Sequence, residues 1–189
     1  LPYNTSKERM STELSPQYNP KEIEDEVYIR WEASGFFNPD NLPAHKKASK
    51  PITIIMPPPN ASGAMHIGNA VGVVLQDIMI RFQRMRGRQA LWLPGTDHAG
   101  FEAQVVFDKK LQKEGRDRTK IPREQLYEEM LSFALNNKKV VDDQLRKLGA
   151  SCDWSREKFT LDPDIVQKTQ SAFVDFYHKG LVYRGERIV

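Results

Sequence analysis

Cysteine is almost absent from this sequence, with Cys152 as its single thiol. One thiol excludes an internal disulfide framework and any metal site built on clustered cysteines within the chain, and it makes the cytoplasm the expected compartment. Long apolar runs are missing too. None approaches the roughly 20 residues that a membrane-spanning helix needs, so no membrane association is expected. Leu1 to Gln17 offers no continuous apolar stretch for a secretory signal, and Glu8 and Glu13 interrupt what would have to be an acid-poor transit peptide. An excess of one charge is also lacking. With 28 Lys and Arg against 25 Asp and Glu, the net charge of +3 is compatible with an RNA partner, yet far from the dense basic patch that would argue for one unaided. There is no internal repeat and no low-complexity tract.

What is present fits a soluble globular protein, since 39% hydrophobic against 28% charged residues is an ordinary balance. The 189 residues suffice for one sizeable domain, or for a domain with a small extension. Residues 1–18 are polar and aperiodic and read as a flexible lead-in, with Met10 a candidate native start. Residues 19–50 read as a helix and a connecting loop. Asn19-Pro20-Lys21-Glu22 supplies an N-cap, a first-turn proline and a capping-box glutamate. Ile23, Val27 and Trp31 follow on one face, and Gly35 stops the helix. Pro39 and Pro43 mark the loop.

Residues 51–189 carry the main α/β pattern. Ile52-Thr53-Ile54-Ile55-Met56 predicts a strand and is followed by the small-residue segment Pro57-Pro58-Pro59-Asn60-Ala61-Ser62-Gly63-Ala64-Met65. From His66 to Arg86, Ile67, Ala70, Val71, Val74, Leu75, Ile78, Phe82 and Met85 recur at helical spacing, and Gly87 closes the segment. Ala90-Leu91-Trp92-Leu93 reads as a second buried strand. Strand, helix, strand is a crossover unit of a parallel sheet.

A further helix is expected from Gly100 or Phe101 to before Gly115. Pro122 opens a longer one with Leu126, Met130, Phe133, Ala134, Val141, Leu145 and Leu148 inward and Gly149 as its stop. Asp162-Pro163 starts the last, with Ile165, Val166, Thr169, Phe173, Phe176 and Tyr177 on its buried side and Gly180 at its end. Leu181-Val182-Tyr183 reads as a strand. The sequence closes beside it, at Arg187-Ile188-Val189, which suggests a piece of a longer polypeptide.

The first strand–loop–helix junction is where chemistry is expected. A helix start offers unpaired backbone N–H groups and a positive dipole end to phosphate. His66 at that start can donate a ring N–H to a phosphate oxygen, and Gly68 leaves room for an adenine or ribose against the backbone. Asn69, three residues on, shares the helical face and can place its amide donor near His66. A lone histidine here would equally serve as a polar helix cap.

In its context, His66-Ile67-Gly68-Asn69 resembles the His-Ile-Gly-His signature of the class I aminoacyl-tRNA synthetases. Asn69 in place of the second histidine keeps a hydrogen-bond donor and loses the ability to become charged. Pro57-Pro58-Pro59-Asn60 resembles the valine, isoleucine and leucine group of that class. Trp92-Leu93-Pro94-Gly95-Thr96-Asp97-His98-Ala99-Gly100 is similar to the valyl signature Trp-x-x-Gly-Thr-Asp-His-Ala-Gly. Arg81 to Gly87, Leu148-Gly149-Ala150-Ser151, Asp153-Trp154-Ser155-Arg156 and Gly180-Leu181-Val182-Tyr183-Arg184 match the same group. The resemblance covers about Asn19 to Val189.

It implies a Rossmann-like parallel sheet with flanking helices, the first half of a nucleotide-binding domain, behind an N-terminal helical extension. ATP would be a substrate, accompanied by Mg2+, with no protein-bound metal. Valine, its tRNA and the remaining domains of a longer polypeptide would be the other partners. His66 and Asn69 become candidate catalytic residues, and Pro59, Asn60, His66, Gly68 and Asn69 candidate ATP contacts. Asp97, Asn60 and the Pro57 carbonyl become candidate amino-acid contacts, with Asp97 pairing with the α-ammonium. His98 would shape its loop. Phe101-Glu102-Ala103-Gln104 departs from the commoner Ile-Ala-Thr-Gln while keeping Gln104.

The class also uses a Lys-Met-Ser-Lys-Ser loop, which this sequence lacks; Lys47-Ala48-Ser49-Lys50 and Arg9-Met10-Ser11-Thr12 are superficial likenesses. The family's editing insertion would begin shortly after Tyr183-Arg184. The chain by itself is therefore expected to hold the ATP and amino-acid half of a site and to have little activity. Two other readings share the motifs: a class I ligase for another branched aliphatic amino acid, and a nucleotide- or tRNA-binding paralogue without catalysis. Trp31 and Trp154 read as core aromatics, Lys109-Lys110 and Lys138-Lys139 as solvated helix faces, and Cys152 as inert.

Overall fold

The computed structural model describes residues 17–43 and 50–186. The expected lead-in up to residue 16, the 47–49 part of the lysine-loop likeness and the terminal 187–189 segment lie outside them. Helix α1 (Pro20–Ala33) starts as its sequence dictates: Asn19 caps it by accepting the Lys21 N–H. Glu22 takes part through the Asn19 side-chain amide, at 2.6 Å. Gly35 ends the segment at φ +71°, a left-handed turn that glycine adopts without a Cβ penalty. The buried residue of α1 is Tyr28, whereas Ile23 and Trp31 remain 43% and 40% exposed, contrary to the expected face. Tyr28 goes inward because its hydroxyl is satisfied there: it donates to the Ala150 carbonyl and accepts from the Trp154 indole N–H, both at 2.8 Å. Trp31 instead lies under the Arg81 guanidinium, 4.8 Å from the ring centroid.

Strands β1 (Pro51–Ile55) and β2 (Gln89–Leu93) pair in parallel, with Ile52 opposite Ala90 and Ile54 opposite Trp92. Helix α2 (Ile67–Met85) makes the crossover between them. Val73 and Ile80 of α2, Met56, Ala90 and Trp92 meet Val141 and Leu145 in one core with Ala150 and Cys152. A short second parallel pair, β3 (Gly95–Thr96) with β4 (Lys158–Phe159), follows in the chain. Helices α3 (Gly100–Lys113), α4 (Arg123–Lys147) and α5 (Pro163–His178) complete the α/β arrangement. Pro122 sits at the N-cap of α4, one position earlier than a first-turn proline.

The face that α2 turns inward is mixed rather than apolar. Between Val73 and Ile80 lie Gln76 and Asp77, and one turn later Arg84; Ile67, Leu75, Ile78 and Met85 stay exposed. The polar members are tolerated because each is paired. Gln76 accepts from the Trp92 indole N–H at 3.1 Å, Asp77 accepts from the Ser151 N–H at 3.0 Å, and Arg84 donates to the Ser151 carbonyl at 2.8 Å. Arg81 adds a bond to the Gly149 carbonyl at 2.7 Å. The Arg81–Gly87 and Leu148–Ser151 motifs are thus two sides of one contact.

Four other expectations are corrected. Phe173, Phe176 and Tyr177 of α5 are 59%, 47% and 63% exposed, because no described element covers that face. Leu181-Val182-Tyr183 forms no strand, having no partner strand among the described residues to complete its ladder. Leu148, at the C-terminal cap of α4, turns outward at 40% exposure. Lys138 is also no solvated lysine: it bridges Asp142 and Glu157, both at 2.6 Å, with its side chain 19% exposed. Trp154 packs against the core under the Arg146 guanidinium, 4.0 Å from its ring centroid. Cys152 is fully buried, and burial pushes its thiol pKa well above the ordinary value, as an inert thiol requires.

Candidate functional site

The site is assembled at the end of β1. Prolines 57–59 carry no N–H and cannot continue a ladder, so the chain leaves the sheet there. It is then caught by the segment after β3. The buried Pro59 accepts the Asp97 N–H at 2.8 Å, Ala61 donates to the Asp97 carbonyl at 2.6 Å, and Asn60 and Asp97 form an isolated parallel bridge. The Pro-Pro-Pro-Asn and Gly-Thr-Asp-His segments are therefore stitched together through their backbones.

His66 is the N-cap of α2, in extended geometry at φ −104° and ψ 172°. Its Nδ1 accepts the Gly68 N–H at 3.1 Å, and its own N–H donates to Asn69 Oδ1 at 3.1 Å. An Nδ1 that accepts must be unprotonated, so the neutral ring carries its proton on Nε2, which is left as a donor. Asn69 likewise spends its carbonyl oxygen on the cap and keeps its NH2 as a donor. The histidine is thus both the helix cap and a donor, and the two readings of it do not compete. Gly68 suits this: a Cβ there would lie 2.9 Å from His66 Cε1 and 3.0 Å from Nδ1, too close for the ring to keep its place.

Met65, just before the cap, is held by Gln144 of α4. The Gln144 amide accepts the Met65 N–H at 2.7 Å and donates to the Met65 carbonyl at 3.3 Å, imitating a strand partner.

These elements enclose a cavity of about 670 Å³. It brings together Pro57, Pro59, Asn60, His66, Gly68 and Asn69. Asp97 contributes through its backbone bridge and is not on the lining. Its Oδ1 accepts from the Ala99 N–H and from the Thr160 hydroxyl, both at 3.1 Å. His98 bonds the same threonine through its N–H, at 2.8 Å, and through Nδ1, at 2.5 Å, which ties its loop to the residue after β4. Between His98 and Gly100, Ala99 is held in the left-handed region at φ 48°.

The wall residues that motif reading passed over are Gln76 and Glu102, and Gln144 behind the wall. Glu102 had one signal, its place in a departure from the usual motif. Among the described residues there is no group of three or more His, Cys, Asp or Glu that could hold a metal ion, and no helix long and apolar enough to cross a membrane.

Residues 26–189 match the family model described as tRNA synthetases class I (I, L, M and V). The valine–tRNA ligase of Treponema denticola is 41% identical over 184 residues, which are 97% of this chain and 20% of the relative. That of Dehalococcoides mccartyi is 46% identical over 177 residues, 94% of this chain and 20% of the relative. A crystal structure of an Agrobacterium radiobacter LeuRS in ternary complex with tRNA and LeuAMS superposes with a TM-score of 0.71 at 24% identity, over 90% of this chain and 20% of that one, and so shares its fold. The chain spans about a fifth of the length of these curated relatives. With a Rossmann-like crossover, a His-Ile-Gly helix cap and nearly full-length similarity, the chain belongs to the class I tRNA synthetases of the isoleucine, leucine, methionine and valine group.

Proposed function

We propose that the protein carrying this chain is a valine–tRNA ligase, and that the residues described here supply the half of its site that binds ATP and the amino acid. One observation carries the reading: a donor pair, His66 Nε2–H and the Asn69 NH2, stands at the positive end of α2 beside a loop braced against the Asp97 segment.

The reaction joins the valine carboxylate to the α-phosphate of ATP and expels pyrophosphate, so negative charge moves outward along the triphosphate. Little of this is covalent work for the protein; most is electrostatic positioning. His66 and Asn69 donate to phosphate oxygens, aided by the α2 dipole. Gly68, Pro59 and Asn60 shape the nucleotide floor. Asp97, Asn60 and the Pro57 carbonyl receive the ammonium end of the amino acid. Mg2+ arrives with the triphosphate as part of the substrate. Valine then passes to the 3′ end of its tRNA.

The test is aminoacylation by the full-length protein, with valine, isoleucine, leucine and threonine offered against valine and isoleucine tRNAs. Valine on its own tRNA is the expected product. One methylene is worth ~1–3 kcal/mol in an apolar pocket, so activation of isoleucine should trail by about 10- to 200-fold. Preference for another amino acid would reassign the substrate, and a folded protein silent with all four would leave a binding paralogue.

A further inference from the structure

Among the described residues, Glu102 is the only carboxylate on the cavity lining. It lies in the first turn of α3, where a carboxylate also answers the positive end of the helix. The residue is solvent-exposed, and its Oε2 accepts the Asn60 side-chain N–H at 2.7 Å, linking two segments 42 positions apart. An ionised carboxylate only accepts, so this bond fixes the Asn60 amide with its NH2 toward Glu102. Two acceptors, Asn60 Oδ1 and Glu102 Oε1, are then left without a described protein donor. Asp97 is the other carboxylate beside Asn60, but it is off the lining, with Oδ1 taken by Ala99 and Thr160. The cavity is polarised as a result. Donors and a helix N-terminus stand at the His66 side, and an acceptor pair bearing one negative charge at the Asn60 side.

We propose that Glu102 is a substrate-binding residue, which with Asn60 Oδ1 forms a paired acceptor for the primary ammonium group of the amino acid. The proposal rests on the amino-acid reading given above and adds a residue to it. Charge-assisted bonds of this kind are among the stronger polar contacts a site can offer.

The variants separate charge from bracing. Glu102→Gln keeps the shape and an oxygen for the Asn60 amide, and removes the charge; Glu102→Ala removes both. Calorimetric binding to the full-length protein uses two probes: L-valinol, which has the ammonium and no carboxylate, and 3-methylbutanoate, which has the carboxylate and no ammonium. Wild type should bind valinol, Glu102→Gln should weaken it by about 10-fold or more, and Glu102→Ala by at least as much. Affinity for 3-methylbutanoate should not fall in either variant. Equal valinol affinity in wild type and Glu102→Gln, no valinol binding by wild type, or a parallel loss of 3-methylbutanoate would each overturn the proposal. Neither probe can be activated, so failure of the ligase reading appears separately, in aminoacylation.

Discussion

Gln144 and Met65 are joined by two hydrogen bonds across 79 positions of sequence, the glutamine amide pairing with both backbone groups of the methionine. A side chain from α4 thereby sets the direction in which the chain enters the His66 cap. The cap, its donors and the cavity floor all depend on that entry.

Replacing Gln144 with Ala leaves the Met65 N–H and carbonyl without their partner. Each lost bond of this kind is worth about 0.5–1.5 kcal/mol, so denaturant unfolding should register a loss of about 1–3 kcal/mol. The KM for ATP should rise as His66 loses its placement. A loss of stability with an unchanged KM would mean that the clamp does not position the cap.

Gly68→Ala tests the contact between the glycine and the imidazole. The added Cβ meets the His66 ring at 2.9 Å, so the ring must swing away and surrender the Gly68 N–H. Alanine is the better helix former by about 1 kcal/mol, which offsets much of the lost cap, so the melting temperature should change little. Activation should fall by about 10-fold or more, since a displaced donor no longer meets developing charge. Stability and activity are expected to part company in this variant.

Asn69→Asp keeps an oxygen for the His66 N–H and exchanges the NH2 donor for negative charge. The acid also suits a helix N-terminus, worth about 0.3–1 kcal/mol, so the variant should be as stable as wild type or slightly more so. Its affinity for ATP should drop, because the donor is lost and the triphosphate is repelled. Nucleotide titration read against thermal melting checks both halves.

Glu129 accepts both arms of the Arg116 guanidinium at 2.8 Å and the Gln125 amide at 2.9 Å. Arg116 first, then Gln125, pull its pKa down to about 2 from the ordinary carboxylate value. A carboxylate depressed in the folded state adds stability above its unfolded pKa and loses it as pH falls toward the folded value. The acid limb of the stability profile between about pH 4.5 and 2 should therefore be shallower in Glu129→Gln. The exposed setting makes the effect modest and sensitive to salt.

Lys138→Met leaves Asp142 and Glu157 facing each other without their shared cation. Removing one member of a half-buried network costs about 2–4 kcal/mol at neutral pH. Burial already raises the Glu157 pKa, and loss of the lysine raises it further. Part of the deficit should therefore return as pH falls below the raised value and Glu157 protonates. A uniform deficit from pH 4 to 8 would argue for a packing defect instead.

The crossover unit and the His66–Asn69 cap were legible because their signals are local. β-branched residues, a proline run and an i, i+3 pair are read within a few positions of one another. The covered side of α5 was not legible. An amphipathic pattern says that a face suits burial, and nothing described lies on that face. Helical spacing points to Ile23 and Trp31 and not to Tyr28, because the bonds that bring Tyr28 inward come from Ala150 and Trp154, over 100 positions away. Gln144 and Lys138 look like solvent-facing helix residues in sequence, since polarity alone does not reveal a partner elsewhere. Glu102 is marked in sequence only as a departure from a motif, since its bond to Asn60 joins segments 42 positions apart.

Whether His66 takes part in the chemistry is decided by ATP–pyrophosphate exchange with valine, in the full-length protein and its His66→Ala variant. Valine-dependent exchange is expected in wild type and a fall of about 100-fold or more in the variant, with folding intact, as loss of a preorganised donor to developing charge requires. Exchange that is undiminished in His66→Ala would make the helix cap a purely structural feature and place the chemistry elsewhere.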